Sequence, residues 1–499
     1  MSLHAATSQD PAASAKIERH VWVISGVVIL GMIMSILDTT IVNVALHTLH
    51  DDLHSPISQV QWVVTGYLLA LGVAIPVSGW VAKRFGAKRV YMISLVLFTG
   101  GSALCGLSST LSELVLCRVL QGVGGGMIMP LAQLIMAQVA GPQRMGRVMG
   151  IVSMPAMLAP ILGPVIGGLI LQNLHWSWIF FVNVPVGVVA FALGWRLLPH
   201  TDSGDAGRLD WLGVALLPTG SAAIVYGLSE LGSGAPAGSA KVLVPVVAGV
   251  LLTLAFCWHA LRVERPLLDI RLYANRVFAG ASFTTFGLGA ALFGAMILVP
   301  LYYQEVRGFD VINTGLLNGP QGIGALVAMP IAGRLTGRFG GGRIALTGVA
   351  VLSLSTIPLT LVGPHTSVVL LSFVLVVRGV SIGLSFMPAM TAAFAAVRPE
   401  QLADATPQLN VLMRLGGAIG TAILAVVLQR AATAGHVHTT AHLAGAFDTA
   451  YWWGLGIALA SLLPCLLLLK AERPRTSPVA LGAEEAEGLL GAPVESAGV

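Results

Sequence analysis

The stretch GWVAKRFGAKR at residues 79–89 recurs at residues 333–343 as GRLTGRFGGGR. Gly, Arg, Phe, Gly and Arg coincide between the two copies without a gap. Each copy follows the second of a set of apolar segments that are long enough to cross a bilayer. The repeat therefore predicts two related halves, and paired halves are the arrangement that alternating access to a central site requires.

The composition places most of this chain in lipid. Its 499 residues are 56% hydrophobic and only 10% charged, with a mean hydropathy of +0.84. Soluble proteins carry about 25% charged residues, so this chain has too few charges to cover a water-facing surface. The sequence contains no GxxxxGK[ST] phosphate loop and no polar segment long enough for a catalytic domain. We therefore predict a membrane protein that is not an enzyme and has no metal or cofactor.

The apolar segments give a count of membrane spans. A helix rises 1.5 Å per residue, so a span across about 30 Å of hydrocarbon needs roughly 20 mostly apolar residues. The sequence predicts fourteen such spans, at residues 21–45, 58–81, 88–109, 112–138, 146–172, 178–198, 210–231, 241–261, 277–303, 312–334, 343–363, 366–396, 404–429 and 447–470.

The basic residues predict the orientation of these spans. Of the 27 Lys and Arg, 21 fall on one side of the predicted membrane and three on the other. The remaining three, Arg118, Arg378 and Arg414, lie within spans. Because basic residues concentrate in cytoplasmic loops, both termini are predicted to be cytoplasmic and the chain to lie in the inner membrane.

The predicted fold is an all-α integral membrane protein with two six-helix halves and two additional central helices. Residues 1–20 are predicted to be a cytoplasmic tail, and residues 21–200 the first six-helix bundle. Residues 201–270 hold the two inserted helices, and residues 271–471 form the second bundle. Residues 472–499 are rich in Ala, Gly and Glu without apolar periodicity, so they are predicted to be a disordered cytoplasmic tail.

Two charged residues in the spans carry the predicted chemistry. Asp38 and Arg118 each lie roughly 10 Å below the outer surface, judged by helix rise, so the two side chains can meet. Burial of such a charge in hydrocarbon costs at least about 2.5 to 3.5 kcal/mol, which marks it as a functional candidate. An apolar cavity favours the protonated carboxyl group, and a nearby arginine favours the carboxylate, which makes a proton switch. A permanent ion pair that only ties helices together is the alternative, and the two readings are compatible.

Three further sets of residues are candidates for function. The first repeat is a predicted conformational switch, through Gly79, Lys83, Arg84, Gly86 and Arg89. The fifth span is predicted to be a kinked, closely packed helix, through Pro160, Gly163, Pro164, Gly167 and Gly168. A substrate cavity is predicted to be lined by aromatic and polar side chains of the spans, with the candidates Tyr67, Gln121, Phe286, Phe293, Tyr302, Asn318, Gln321 and Asn410.

These motifs together resemble the major facilitator superfamily, and specifically its fourteen-span drug:proton antiporters of the EmrB/QacA type. The resemblance covers residues 21 to 470. It rests on LDTTIVNVAL (37–46), the 79–89 loop, RVLQGVGGG (118–126), PILGPVIGG (160–168) and WSWIFFVNVPVG (176–187). In this chain Lys83 stands where many relatives carry Asp, so the usual charge lock of that loop is expected to differ.

The resemblance implies proton-coupled export of hydrophobic or cationic small molecules, with Asp38 and Arg118 at the proton-linked positions. The expected partners are such a substrate, protons and the lipid bilayer, with no nucleic acid, and the expected functional unit is a monomer. Two alternatives remain open. One is a dedicated exporter or importer of a single metabolite, such as a siderophore or a self-made antibiotic, and the other is a membrane sensor that transports nothing.

Overall fold

The structure is a computed structural model that describes residues 19–152, 154–199, 207–232, 234–433 and 440–472. The described residues form eighteen α-helices and short 3-10 and π segments, without a strand. The helices are α1 (Arg19–Val44), α2 (Leu46–Asp52), α3 (Ile57–Val60), α4 (Trp62–Phe85), α5 (Ala87–Leu107), α6 (Leu111–Val152), α7 (Met154–Asn173), α8 (Trp178–Phe181), α9 (Asn183–Leu197), α10 (Trp211–Gly232), α11 (Ala240–Arg262), α12 (Arg276–Leu301), α13 (Val311–Phe339), α14 (Gly341–Thr356), α15 (Val368–Ala395), α16 (Leu402–Thr433), α17 (Thr440–Ala460) and α18 (Leu462–Ala471).

Twelve helical segments of the described chain are long and apolar enough to cross a membrane. The other two predicted spans fall on α7 and α13, which are not among the twelve, so the count of fourteen is not confirmed. Helix α13 has 29 residues, but Asn, Gln and Arg interrupt its apolar sequence. Part of α7 has side chains outside the described residues. The link predicted at residues 139–145 is helical, because α6 runs on to Val152.

The helices pack in two groups that meet along a seam. In the first half α4 and α5 pack on α6, and α1 packs on α7 and α9. In the second half α13 and α14 pack on α15, and α12 packs on α16 and α18. Contacts of α4 with α16, and of α13 with α6 and α7, join the halves. The inserted pair α10 and α11 lies beside this seam, since α10 contacts both α4 and α16.

The sequence repeat is a repeated backbone turn. Gly86 lies between α4 and α5 with φ 85° and ψ 136°. Gly340 lies between α13 and α14 with φ 87° and ψ 157°. A positive φ is strained for residues with a Cβ and freely adopted by glycine, which explains why both copies have glycine here. The two halves thus connect their second and third helices in the same way.

Glycines also allow the helices of the second half to approach closely. A Cβ on Gly416 of α16 would lie 2.0 Å from the carbonyl oxygen of Phe286 on α12, and one on Gly420 would lie 2.2 Å from the carbonyl oxygen of Ala290. In a membrane, where lipid is as apolar as a side chain, such small-residue contacts drive helix association. They fix the position of α16, one of the helices that meet the first half.

Candidate functional site

Asp38 and Arg118 form an ion pair in the interior of the first half. Asp38 on α1 has no exposed surface, and Arg118 on α6 is 1% exposed. The Nη1 atom of Arg118 donates a hydrogen bond to Oδ2 of Asp38 at 2.6 Å. The two charged residues that the sequence placed at the same depth are therefore in direct contact.

Two amides complete the hydrogen bonding of the Asp38 carboxylate. Gln121, one turn after Arg118 on α6, donates from Nε2 to Oδ1 at 2.9 Å. Asn183, the first residue of α9, donates from Nδ2 to the same oxygen at 3.2 Å. A buried charge is tolerated only when its remaining lone pairs are satisfied, and these bonds satisfy them. We call Asp38, Arg118, Gln121 and Asn183 the carboxylate cluster.

The guanidinium of Arg118 has partners besides Asp38. Its Nη1 also donates to Oε1 of Gln121 at 2.7 Å, and its Nε donates to the carbonyl of Val63 at 3.1 Å. The Tyr67 ring lies 4.1 Å from the guanidinium carbon, which is within the range of a cation–π contact. Val63 and Tyr67 both belong to α4. The positive charge is therefore held by three separate groups that do not depend on the charge of Asp38.

Asn183 is a member of the cluster that the sequence analysis did not single out. Besides Asp38 it donates to the hydroxyl of Ser102 on α5 at 3.1 Å, and that hydroxyl donates to the carbonyl of Phe180 at 2.9 Å. A signal was present in the sequence, because Asn183 is a polar residue within an apolar span and such residues are rare unless functional. It links α9 and α5 to the site.

Two residues of the predicted switch, Gly79 and Lys83, lie where the two halves meet. Nζ of Lys83, near the end of α4, donates to Oδ2 of Asp404, near the start of α16. The side chains are 32% and 13% exposed, so the pair is largely shielded from solvent. A Cβ on Gly79 would lie 2.2 Å from the carbonyl oxygen of Ala403, so only glycine permits this contact. We call this Lys83–Asp404 ion pair the charge lock; its lysine belongs to the first half and its carboxylate to the second.

A second polar bond crosses between the halves. Nδ2 of Asn410 on α16 donates to Oε1 of Gln133 on α6 at 2.8 Å. Both side chains are at least 97% buried, so this bond is formed away from water. Of the other switch residues, Gly86 makes the turn described above, and Arg84 and Arg89 are exposed. Two polar bonds and one close backbone contact therefore join α16 to the first half.

The glycine-rich helix α7 packs on the helix that carries Asp38. A Cβ on Gly163 would lie 2.0 Å from Oγ1 of Thr40, and one on Gly167 would lie 3.4 Å from Cγ2 of Ile41. Gly168 belongs to the same helix, as do Pro160 and Pro164, whose side chains lie outside the described residues. Because α7 also contacts α13 of the second half, it connects α1 with the seam.

The eight predicted substrate residues do not lie in one group. Tyr67 and Gln121 contact Arg118 in the carboxylate cluster, and Asn410 makes the bond between the halves. Phe286 and Phe293 lie on α12, beside glycines of α16. Tyr302 donates to the carbonyl of Gly363, and Asn318 to that of Thr314, while the Gln321 backbone packs against Gly379. Their part in binding stays a prediction.

The two remaining intramembrane arginines have different surroundings from Arg118. Arg378 on α15 is 3% exposed and donates to Oγ1 of Thr356 at 2.8 Å and to the carbonyl of Ala291 at 3.3 Å. Within the described part of the chain it has no acidic partner. Arg414 on α16 is near enough to Tyr67 for an electrostatic interaction. The second half therefore does not repeat the carboxylate cluster.

His50 and His54, in the segment between α1 and α4, make local bonds. His50 Nδ1 lies 2.6 Å from the carbonyl of Ser55, and His54 Nδ1 lies 2.6 Å from that of Asp51. Among the described residues no three His, Cys, Asp or Glu side chains are grouped so that they could hold a metal ion.

We expect replacement of Asp38 and replacement of Arg118 to destabilise the folded protein by different amounts. Asp38→Asn leaves a guanidinium that cannot lose its charge, whereas Arg118→Gln leaves a carboxyl group that can bind a proton. Breaking a buried pair costs about 3 to 5 kcal/mol. We expect Asp38→Asn to lower the melting temperature of the purified protein, and Arg118→Gln to lower it less as the pH falls.

Thermal unfolding in detergent, followed by tryptophan fluorescence across a pH series, measures this difference. The Asp38→Asn, Arg118→Gln double variant is the control, because it contains neither charge and should recover part of the loss. Equal destabilisation by both single variants at every pH would contradict the expectation.

Comparisons with known proteins can now be set beside this geometry. The family model of the Major Facilitator Superfamily matches residues 28–421. A multidrug resistance protein B homolog of Mycobacterium tuberculosis is 38% identical over 407 residues, which are 81% of this chain and 75% of the relative. The multidrug export protein EmrB of Haemophilus influenzae is 30% identical over 421 residues, which are 83% of this chain and 82% of the relative.

Solved structures show the same fold at low sequence identity. The proton:xylose symporter XylE, bound to 6-bromo-6-deoxy-D-glucose, has a TM-score of 0.62 and 14% identity, with coverage of 89% of this chain and 94% of that one. The human organic anion transporter MFSD10 has a TM-score of 0.60 and 15% identity, with coverage of 92% of this chain and 100% of that one. With its helical halves, its repeated glycine turn and these relatives, the chain belongs to the Major Facilitator Superfamily of membrane transporters.

Proposed function

We propose that this transporter exports hydrophobic or cationic drugs and toxic small molecules across the cytoplasmic membrane, in exchange for protons and by alternating access. The observation that carries the proposal is the Asp38 carboxylate, which has no exposed surface and accepts hydrogen bonds from Arg118, Gln121 and Asn183. A carboxylate buried this completely in a membrane protein is a typical proton carrier.

The partners of Arg118 support a proton step at Asp38. When a proton binds Oδ2, the carboxyl group becomes neutral and its charge-assisted bond to Arg118 is lost. The guanidinium then keeps its bonds to Gln121 and Val63 and its contact with the Tyr67 ring. Because these partners remain, the guanidinium keeps hydrogen bonds after protonation, and only its contact with a negative charge is lost. Asp38 can therefore exchange Arg118 for a proton without disrupting the rest of the cluster.

The contacts between the halves support alternating access. The Lys83 bond to Asp404 and the close approach of Gly79 to Ala403 lie at the end that the charge distribution predicts to be cytoplasmic. These contacts hold that end closed, so a site between the halves would face outward in this conformation. Opening toward the cytoplasm then requires Lys83 and Asp404 to separate, while the helices of each half move together.

The substrate class is proposed from the relatives, two of which are named for multidrug resistance or multidrug export. Tyr67, Phe286 and Phe293 are among the candidates for substrate contact, and the two phenylalanines lie beside glycines of α16. A dedicated transporter of one metabolite and a sensor that transports nothing are the alternatives. Flux measurements distinguish all three.

The test uses inside-out membrane vesicles, with or without an imposed proton gradient, and a fluorescent cationic dye. We expect the wild type to accumulate dye only when the gradient is present, and Asp38→Asn to abolish this accumulation because its amide cannot carry a proton. Asp51→Asn makes the same chemical change at a side chain that is 76% exposed in the outer loop, so it serves as the matched control.

Each outcome of the vesicle assay bears on a different part of the proposal. Equal gradient-dependent accumulation by wild type and Asp38→Asn would leave an antiporter but overturn the role of Asp38. Equal dye accumulation with and without the proton gradient would overturn proton coupling. If correctly inserted wild type moves no dye, broad drug export fails, and the assay is repeated with single metabolites.

The charge lock gives a separate prediction about alternating access. Lys83→Asp places two carboxylates in contact at the end of α4 and the start of α16, and like charges in contact repel. We expect this variant to lose gradient-driven dye transport. Reversing the pair with Lys83→Asp and Asp404→Lys together restores the attraction and should recover transport. At equal protein levels, a double variant no more active than Lys83→Asp alone would show that the pair does not govern closure.

A further inference from the structure

A groove with a basic end lies between α5 and α9 on the lipid-facing side of the first half. Its volume is about 530 Å³. Apolar side chains of both helices line most of it, and three of them, Ile93, Val96 and Trp195, are 51%, 52% and 66% exposed. Lys88 and Arg89, in the first turn of α5, line the end of the groove that is nearest the start of that helix. The groove therefore combines a lipid-like apolar wall with positive charge at the predicted cytoplasmic interface.

The second half has an internal anion at the equivalent position. Helix α14 follows the repeated turn as α5 does, and its first two residues, Gly341 and Gly342, donate their N–H groups to the Glu472 carboxylate at 2.8 and 2.6 Å. Glu472 directly follows α18, the last helix of that half. A carboxylate at a helix N-terminus binds the free N–H groups and the positive end of the helix dipole.

Among the residues that the structure describes, the first half has no such carboxylate at the end of its last helix. The residue that directly follows its last helix, α9, is Leu198, where the second half has Glu472. Nζ of Lys88 donates to the carbonyls of Trp195 and Leu198 at 3.0 and 2.6 Å, which ties α5 to α9. Arg89 is exposed and has no hydrogen bond or ion pair with any residue that the structure describes. Among the described residues, Arg89 at the start of α5 thus has no counterpart of the anion that Glu472 supplies to α14.

We propose that this groove binds an anionic phospholipid of the cytoplasmic leaflet. Its phosphate would pair with Arg89 at the start of α5, and an acyl chain would lie along Ile93, Val96 and Trp195. Basic pockets between transmembrane helices on the cytoplasmic side bind anionic headgroups in this way. Trp195 and Phe191 stack at a centroid distance of 6.1 Å and form one wall, as aromatic side chains do at membrane interfaces.

Such a lipid would contact helices that also hold the carboxylate cluster. Ser102 on α5 and Asn183 on α9 bond to each other at 3.1 Å, and Asn183 bonds to Asp38. A lipid seated between α5 and α9 therefore packs against two helices that position the Asp38 carboxylate. The site itself is separate from Asp38 and does not depend on the proposed direction of transport.

Trp195 provides a local probe of this site. The full-length protein is reconstituted with brominated phosphatidylglycerol or brominated phosphatidylcholine at increasing mole fractions, and bromine quenches a tryptophan that it contacts. Subtracting the signal of Trp195→Phe isolates the Trp195 contribution. We expect phosphatidylglycerol to quench Trp195 at a lower mole fraction than phosphatidylcholine, by about five-fold in relative affinity, given the attraction of one basic side chain for an anionic lipid.

Two charge variants distinguish a specific site from general attraction to basic loops. Arg89→Gln should remove the preference for phosphatidylglycerol, while Arg84→Gln, which loses the same charge outside the groove, should keep it. Arg89→Lys should keep part of it. Quenching of Arg89→Gln by phosphatidylcholine at the wild-type level verifies its fold. The proposal is overturned if the wild type has no lipid preference, or if Arg84→Gln and Arg89→Gln lose it equally.

Discussion

The burial of one carboxylate in an apolar bundle is the constraint on which the first half depends. Asp38 is far from water, so its charge requires a cation and further hydrogen-bond donors within contact distance. Those groups come from α6 and α9, and the cation is held in turn by α4. One ionised side chain therefore fixes how four helices pack, and any change in its charge acts on all four at once.

The two halves are alike in backbone and different in charge. Both use a glycine with positive φ to connect their second and third helices. Among the described residues, Arg118 of the first half is paired with a carboxylate, whereas Arg378 of the second half binds a hydroxyl and a carbonyl. The start of the third helix also differs between the halves. Glu472 binds the first N–H groups of α14, whereas the first turn of α5 contains Lys88 and Arg89. The two halves therefore share a backbone turn, and differences at a few residues give them different charged groups.

Sequence patterns predicted the features that depend on local chemistry. Apolar length predicted helices, the repeat predicted two related halves, and helix rise placed Asp38 and Arg118 at one depth. Contacts between distant segments were beyond such patterns. The Lys83 bond to Asp404 joins residues 321 positions apart, and Asn183 reaches Asp38 only through the packing of α9 on α1. The count of fourteen spans stays unconfirmed, because polar residues lower the hydropathy of α13 and the side chains of part of α7 lie outside the described residues.

The central claim is that Asp38 binds and releases a proton while Arg118 stays charged. Infrared difference spectroscopy of the purified protein between alkaline and acidic pH detects this directly, because a protonated carboxyl group has a C=O stretch that a carboxylate lacks. We expect a carboxylic acid band that appears on acidification of the wild type and is missing from Asp38→Asn. If the two spectra are identical, Asp38 remains ionised throughout, and its pairing with Arg118 is a permanent structural bond.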